Sequence, residues 1–333
     1  MTSTSTPSRA ADGGALRPEV VHPVRTGRAP RPAGRRRVPV APYLFVAPAV
    51  VLFVVFMLVP LLYTIWSSLR AYRIELGTSV LGVRVDRFVG FENYAAVFQD
   101  AELLASFGRL AVYGLIAVPL TLGLALLFAL LLDVPAVRAK RFSRTAIFIP
   151  YAVPGVTAAL LWGFMYLPLT SPFSYVTEAL GWGPVPFLEG NGLFGSLANI
   201  AIWGGVGFNM IIIYTSLRGI PTDIYESARL DGASELQIAL RIKVPLVVPA
   251  LVLTGVFALI GTLQLYGEPN TLRPLTTDIT QSWAPLMTIY RDAFLTDDLP
   301  SAAASSTVLA LGTVLLSALV LGIANRKRSE AAS

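Results

Sequence analysis

The chain has 333 residues, of which 54% are hydrophobic and only 14% charged, and its mean hydropathy is +0.65. Those values exclude a water-soluble globular protein. With no cysteine and a single histidine, His22, the chain also lacks the means for a disulfide framework or a Cys/His metal centre.

Residues 1–38, rich in Pro, Gly, Ser and Arg, are expected to form a disordered basic tail. Arg35, Arg36 and Arg37 then hold the start of the first apolar window at anionic headgroups. That window, 38–69, is too long for the apolar part of a signal peptide and has no clear small-residue cleavage site. In the following segment, 70–109, the alternating VLGVRVDRFVG (80–90) fits short strands. Further charge-free windows run over 110–132, 145–177, 190–217, 244–267 and 299–325. Each is longer than the roughly 20 residues a helix needs to cross the hydrocarbon core, and none has the alternation of barrel strands. The expectation is an all-α polytopic membrane protein with six transmembrane helices in one domain, 39–328, and a short tail, 329–333.

Between windows two and three, DVPAVRAKRFSR reads as a short basic turn. GGVG (204–207), in the middle of window four, reads as a point of close helix approach. The segment 268–299 carries Asp292, Asp297 and Asp298, available to a partner or simply to water. With the N-terminus in the cytoplasm, the inner segments hold 19 of the 26 Lys and Arg, and the outer ones 12 of the 20 Asp and Glu. The positive-inside rule therefore places both termini in the cytoplasm of a chain embedded in the cell membrane. A net charge of +6 explained in this way calls for membrane lipids and no nucleic acid.

No window contains Asp, Glu, Lys, Arg or His, which proton relays and charged-ligand sites require. There is no P-loop, no H-E-x-x-H and no G-x-S-x-G, and no histidine in the body to serve as a base. The chain is therefore expected to be no enzyme, with no catalytic residue, no metal and an energy source elsewhere. The alternative is a stand-alone secondary transporter or channel for a small neutral solute. It predicts inverted repeats or ionisable groups in the membrane, and neither is visible.

One polar insert interrupts the apolar pattern, YESARLDGASELQIALRIKVP at 225–245, within the loop 218–245. Pro221 pre-sets the start of a helix, and Asp223 and Glu226 complement its dipole. Asp231-Gly232 ends it, and Ser234 with Gln237 forms a capping box for a second short helix. Its apolar positions, among them Ile224, Leu230, Leu236, Ile238 and Leu240, are too many for water alone. They pack either on this chain's own helices or in a groove of another protein.

Glu226-Ser227-Ala228, then Gly232, then Ile242-Lys243-Val244-Pro245 resembles the EAA signature of binding-protein-dependent ABC importer permeases, E-A-A, x3, G, x9, I-x-L-P. Ser227 and Val244 depart mildly from it. Together with GFENY (Gly90 to Tyr94) before window two, the chain resembles the sugar-type permeases of the maltose, lactose and glycerol-3-phosphate class. The resemblance implies the type I importer permease fold. It also implies a second homologous permease, a dimer of ABC ATPase subunits that holds ATP and Mg, and an external sugar-binding protein. Glu226, Ser227, Ala228, Asp231, Gly232, Ile242 and Pro245 would then form the coupling loop that docks in a cleft of the ATPase, Glu226 facing a basic residue there. Cofactors would be absent from this chain itself.

Counting from Glu226 onto the maltose-type pattern, the resemblance places a substrate path at Trp203, Gly205, Phe208 and Asn209 on helix four. On helix five the count reaches Thr262, with Tyr266 one turn on and Gln264 pointing elsewhere on a regular helix, and Tyr151 is the candidate on helix three. Aromatic faces and neutral hydrogen-bonding groups of this kind suit a sugar, and the absence of charge favours a neutral substrate.

Overall fold

The computed structural model describes residues 41–75 and 83–332. The expected tail 1–38 lies outside them. Five helices are long and apolar enough to cross a membrane, or six if one bent pair counts as a span. They are α1 (Tyr43–Ser68), α3 (Ala101–Asp133), α7 (Gly192–Arg218), α9 (Glu235–Leu263) and the final helix α12, whose apolar part is Leu299–Ala324; the pair is α4 (Lys140–Ala152) with α5 (Gly155–Tyr166). Residues 41–52 form one unit, and everything from Phe53 onward forms the second, which is the body.

Window three departs from a straight span. Its two halves meet at 96°. Pro154 caps α5 and forces Val153 into an extended conformation (φ −79°, ψ 126°), since the residue before a proline is driven out of the helical region. The apolar run continues past Tyr166 into a separate short helix, α6 (Pro172–Ala179), so the expected end of the span at 177 is too late.

Two π-turns, Val54–Leu58 and Ala239–Lys243, share one cause. Pro60 and Pro245 each lack an N–H and crowd the carbonyl four residues earlier, Phe56 and Arg241, which is the middle of each π-turn. Widening the helix there absorbs the proline without breaking it. The second predicted hairpin helix is consequently no separate element: Glu235–Ile238 runs through the π-turn into α9. At the C-terminus α12 extends to Ala332 and takes in most of the expected tail, for Asn325 to Ala332 contains neither Pro nor Gly to stop it.

The predicted strands are present. Strand β1 (Arg70–Glu75) pairs antiparallel with β2 (Val83–Phe88). GFENY follows directly, its last three residues opening α2 (Glu92–Val97). Buried Asn93 donates to the carbonyls of Ser68 (2.8 Å) and Arg70 (2.6 Å), and the Tyr94 hydroxyl lies 2.6 Å from that of Ser68. The motif thus ties off the end of α1. Asp292 pairs with Arg291 (2.9 Å), Asp297 with Arg84 of β2 (2.6 Å), and Asp298 accepts from the N–H of Ser301 (3.3 Å). These three carboxylates are satisfied within the chain. Burial raises the Asp292 carboxyl above the usual range, against the opposing pull of Arg291.

The core is built on α3 against α7. Ala117, Thr121, Ala125 and Ala129 are all buried and recur every fourth residue along one face of α3. Small residues at this spacing let helix backbones approach closely in a membrane, where van der Waals contact replaces the hydrophobic effect. Val206, Met210, Ile213 and Leu217 of α7 fill the facing side. In GGVG, Gly207 is the closest point: a Cβ there would lie 2.2 Å from the Ile147 carbonyl oxygen and 2.7 Å from the Phe148 Cα. Gly207→Val is therefore expected to cost about 3 kcal/mol, because backbone must move to admit it. A lowered unfolding temperature in mild detergent checks this, with Gly204→Val, which meets open space, as the control.

Candidate functional site

Two constellations stand out, a polar hairpin at one end of the helices and a cavity between them. The hairpin's first helix, α8 (Thr222–Leu230), starts at Pro221 and carries Asp223 in its first turn. It closes where Gly232 adopts φ +84°, a left-handed conformation that glycine enters freely, with the Ala233 N–H donating to the Ala228 carbonyl (2.9 Å). Ser234 and Gln237 then form a reciprocal capping box, 2.8 Å from the Ser234 N–H to Gln237 Oε1 and 3.3 Å from the Gln237 N–H to Ser234 Oγ. Across the bend Arg229 pairs with Glu235 (2.7 Å). Every link in this turn is local, which is why it was readable in the sequence.

The apolar positions of the hairpin divide. Tyr225 and Ile238 are buried against the body, whereas Leu230, Leu236 and Leu240 are 89%, 68% and 57% exposed. Beside them Glu226 makes no hydrogen bond or ion pair among the described residues, and Asp231, Gly232 and Ile242 line a shallow recess of about 310 Å³. Ser227 is occupied with its own helix, donating to the Ile224 carbonyl (3.1 Å), Ala228 is half-buried, and Pro245 sits just beyond the π-turn. The chain's own helices leave most of this surface uncovered.

What fastens the hairpin to the body is a buried ion pair that the sequence did not suggest. Lys243 Nζ lies 2.5 Å from Asp133 Oδ2, and the two side chains are only 6% and 7% exposed. Asp133 is the last residue of α3, and Lys243 ends the π-turn of α9. The ammonium also lies 4.8 Å over the Tyr225 ring, a cation–π contact from α8. Burial, then the Asp133 charge, push the Tyr225 phenol upward while Arg218 pulls it down, so the ring stays neutral beneath the cation. Three elements meet on one ammonium.

The cavity, about 580 Å³, is open on one side and enclosed by α3, the α4–α5 break, α7 and α9. Tyr151, Gly205, Phe208, Asn209, Thr262 and Gln264 line it. Tyr151 and Phe208 stack at 4.7 Å with 15° between their planes. Asn209 donates to the Gly205 carbonyl (2.8 Å), and its own buried oxygen has no partner among the described residues, an unmet acceptor within the cavity wall. Gln264 reaches the wall because α9 ends at Leu263, freeing it from the helical register.

Trp203 and Tyr266 lie elsewhere. Trp203 precedes Gly205 by two residues, about 200° around the helix, and packs edge-on against Trp162 (6.0 Å). Tyr266 lies in the break after α9 and packs on Tyr290 of α11 (Pro285–Phe294) (5.4 Å). Conversely, the wall includes Tyr113, Thr121 and Glu268, none of them anticipated. Glu268 opens α10 (Gly267–Leu272), which packs back on α5, so a residue read as lying outside the span turns inward.

Residues 122–327 match the family described as binding-protein-dependent transport system inner membrane component. The sn-glycerol-3-phosphate transport system permease protein UgpA of Rhizobium meliloti (strain 1021) is 31% identical over 288 residues, 85% of this chain and 92% of that one. Its namesake in Escherichia coli O157:H7 is 30% identical over 284 residues, 84% and 92% respectively. Among solved structures, a chain of a bacterial ABC transporter involved in import of the acidic polysaccharide alginate superposes with a TM-score of 0.73 at 20% identity, covering 86% of this chain and 95% of that one.

Proposed function

The chain belongs to the binding-protein-dependent transport system inner membrane component family, and on that premise we propose that it is one permease subunit of an ATP-driven importer for a neutral carbohydrate. A second, homologous permease completes the path, and an external solute-binding protein delivers the substrate. One subunit of an ABC ATPase dimer docks on the hairpin, which faces the cytoplasm together with both termini. ATP and Mg reside on that dimer, and this chain carries out no chemistry.

The observation that carries the reading is the exposed, capped hairpin, with Leu230, Leu236 and Glu226 uncovered beside Gly232. A rigid hairpin passes a displacement to the membrane helices, where a flexible loop would absorb it. Closure of the ATPases moves α8, and the Asp133–Lys243 pair carries that motion to α3, one wall of the cavity.

The stacked Tyr151–Phe208 pair offers an apolar face to sugar C–H groups, and Asn209, Thr262 and Gln264 of the same wall are the partners for hydroxyls. The relatives are named for glycerol 3-phosphate. Here the one charged residue of the described cavity wall is acidic, Glu268, which repels a phosphate and accepts hydroxyl donors. Asn209→Leu is expected to raise the transport KM about tenfold, the worth of one good hydrogen bond, with thermal stability retained.

The complex, reconstituted in vesicles with its binding protein outside and ATP inside, tests the proposal. ATP-dependent uptake of a neutral sugar, unaffected by excess glycerol 3-phosphate, is expected. Uptake by this chain alone, driven by an ion gradient, would establish the stand-alone transporter instead.

A further inference from the structure

At the same end of the helices as the hairpin lies a second concavity, separate from the cavity and the hairpin of the proposed transport path. It measures about 440 Å³ and is lined by Lys140, Arg141, Arg144, Tyr214, Thr215 and Arg218. Four of these six residues are cations. Not one of the four has a hydrogen-bond or ion-pair partner among the described residues, and no carboxylate lines the space. Arg144 lies over the Tyr214 ring at 5.9 Å, and Arg218 acts on the Tyr225 phenol through its charge alone. Four uncompensated charges around one small volume repel one another, and an anion placed there removes that cost. The backbone is arranged to the same end. Ala139 holds φ +58°, a conformation rare for a residue with a Cβ, and caps α4 without any side-chain hydrogen bond, leaving the first N–H groups of that helix open.

The depth of the pocket selects the anion. Arg218 is the last residue of the apolar span α7, as Asp133 is of α3. The end of a helix that crosses the hydrocarbon core falls at the headgroups. Phe142, between the basic residues of α4, is 75% exposed, as suits a ring among lipid chains rather than in water. Guanidinium groups pair with phosphate in a bidentate manner, and three of the four cations are arginines.

We propose that this pocket binds the phosphate of one anionic phospholipid headgroup, fixing the start of α4 against the end of α7. It is thereby a lipid site as distinct from the diffuse attraction of a basic surface to an anionic bilayer.

Native mass spectrometry of the whole transporter complex, released from detergent with added phosphatidylglycerol, phosphatidylcholine or inorganic phosphate, tests this without reference to transport. Retention of phosphatidylglycerol over phosphatidylcholine is expected, with retention falling about tenfold in Arg144→Gln and in Arg218→Gln. Arg144→Lys keeps the charge but loses the bidentate fork, and is expected to retain more lipid than Arg144→Gln and less than the unaltered chain, which separates lost binding from lost folding. Arg138→Gln removes the same charge from the same loop outside the pocket, and is expected to change retention less than twofold. Equal retention of the two lipids, or an equal loss in Arg138→Gln, would overturn the proposal. Displacement of the lipid by millimolar inorganic phosphate would assign the pocket to free phosphate and overturn the lipid assignment.

Discussion

Lys243→Met is expected to destabilise the protein by about 3–5 kcal/mol, because it leaves Asp133 charged and alone in a site only 7% exposed. The loss comes less from the attraction forgone than from the desolvated carboxylate that remains. It follows that Asp133→Leu together with Lys243→Met recovers most of the stability, since two apolar groups of similar size need no partner there. Thermal unfolding of the single and double variants in mild detergent gives the comparison, and a double variant as unstable as the sum of the two singles would remove the pair from the account. The functional consequence differs from the structural one. With its anchor now apolar, the double variant keeps the fold, but α8 loses the cation held over Tyr225. Its ATP hydrolysis is therefore expected to proceed with less substrate moved per ATP, a ratio that stability alone does not alter.

The second large effect is at Gly232. Its φ of +84° is closed to proline, whose ring fixes φ near −65°, and costs an ordinary residue about 1–2 kcal/mol. Gly232→Pro is expected to redirect the chain between α8 and α9, breaking the Ala233-to-Ala228 hydrogen bond and the Arg229–Glu235 pair, and to abolish ATPase association. Gly232→Ala, which meets open space and pays only the backbone cost, is expected to assemble with about tenfold weaker association. Glu226→Lys disturbs the fold little, since that carboxylate makes no hydrogen bond or ion pair among the described residues and reaches Arg229 only through its charge, and is expected to weaken docking by reversing the charge presented. Co-purification of the ATPase with each variant orders the three, wild-type-like recovery with Gly232→Pro being the contrary result.

These features were legible to different degrees, for physical reasons. The spans could be read because lipid tolerates no unpaired charge, so each leaves a long charge-free run. The hairpin could be read because caps and a glycine turn are settled by residues within four positions of one another. The Asp133–Lys243 pair joins residues 110 apart, and no periodicity links them. Asp133 looked like part of a basic turn, and Lys243 occupies an unspecified position of the EAA pattern. In the cavity, regular helix geometry already separates Trp203 from Gly205, so the first misplacement was avoidable. Gln264, Tyr266 and Glu268 were harder, because their placement depends on α9 stopping at Leu263 and the chain turning back as α10. The bend at Val153 went unread in a window taken as one span, although two prolines four residues apart, Pro150 and Pro154, flank it.

Docking of a partner ATPase on the hairpin is the central claim, and the absence of any cysteine offers a direct measurement of it. Leu236→Cys places the chain's only thiol on the exposed apolar face of the hairpin. Maleimide labelling of the isolated chain and of the assembled complex then reports whether that face is covered. The expected result is rapid labelling alone and protection of at least about tenfold in the complex, while a control thiol at the exposed Trp182 is labelled equally in both. Equal labelling of Leu236→Cys in the two states would mean that no subunit docks there, and the hairpin would lose its role as the link to ATP.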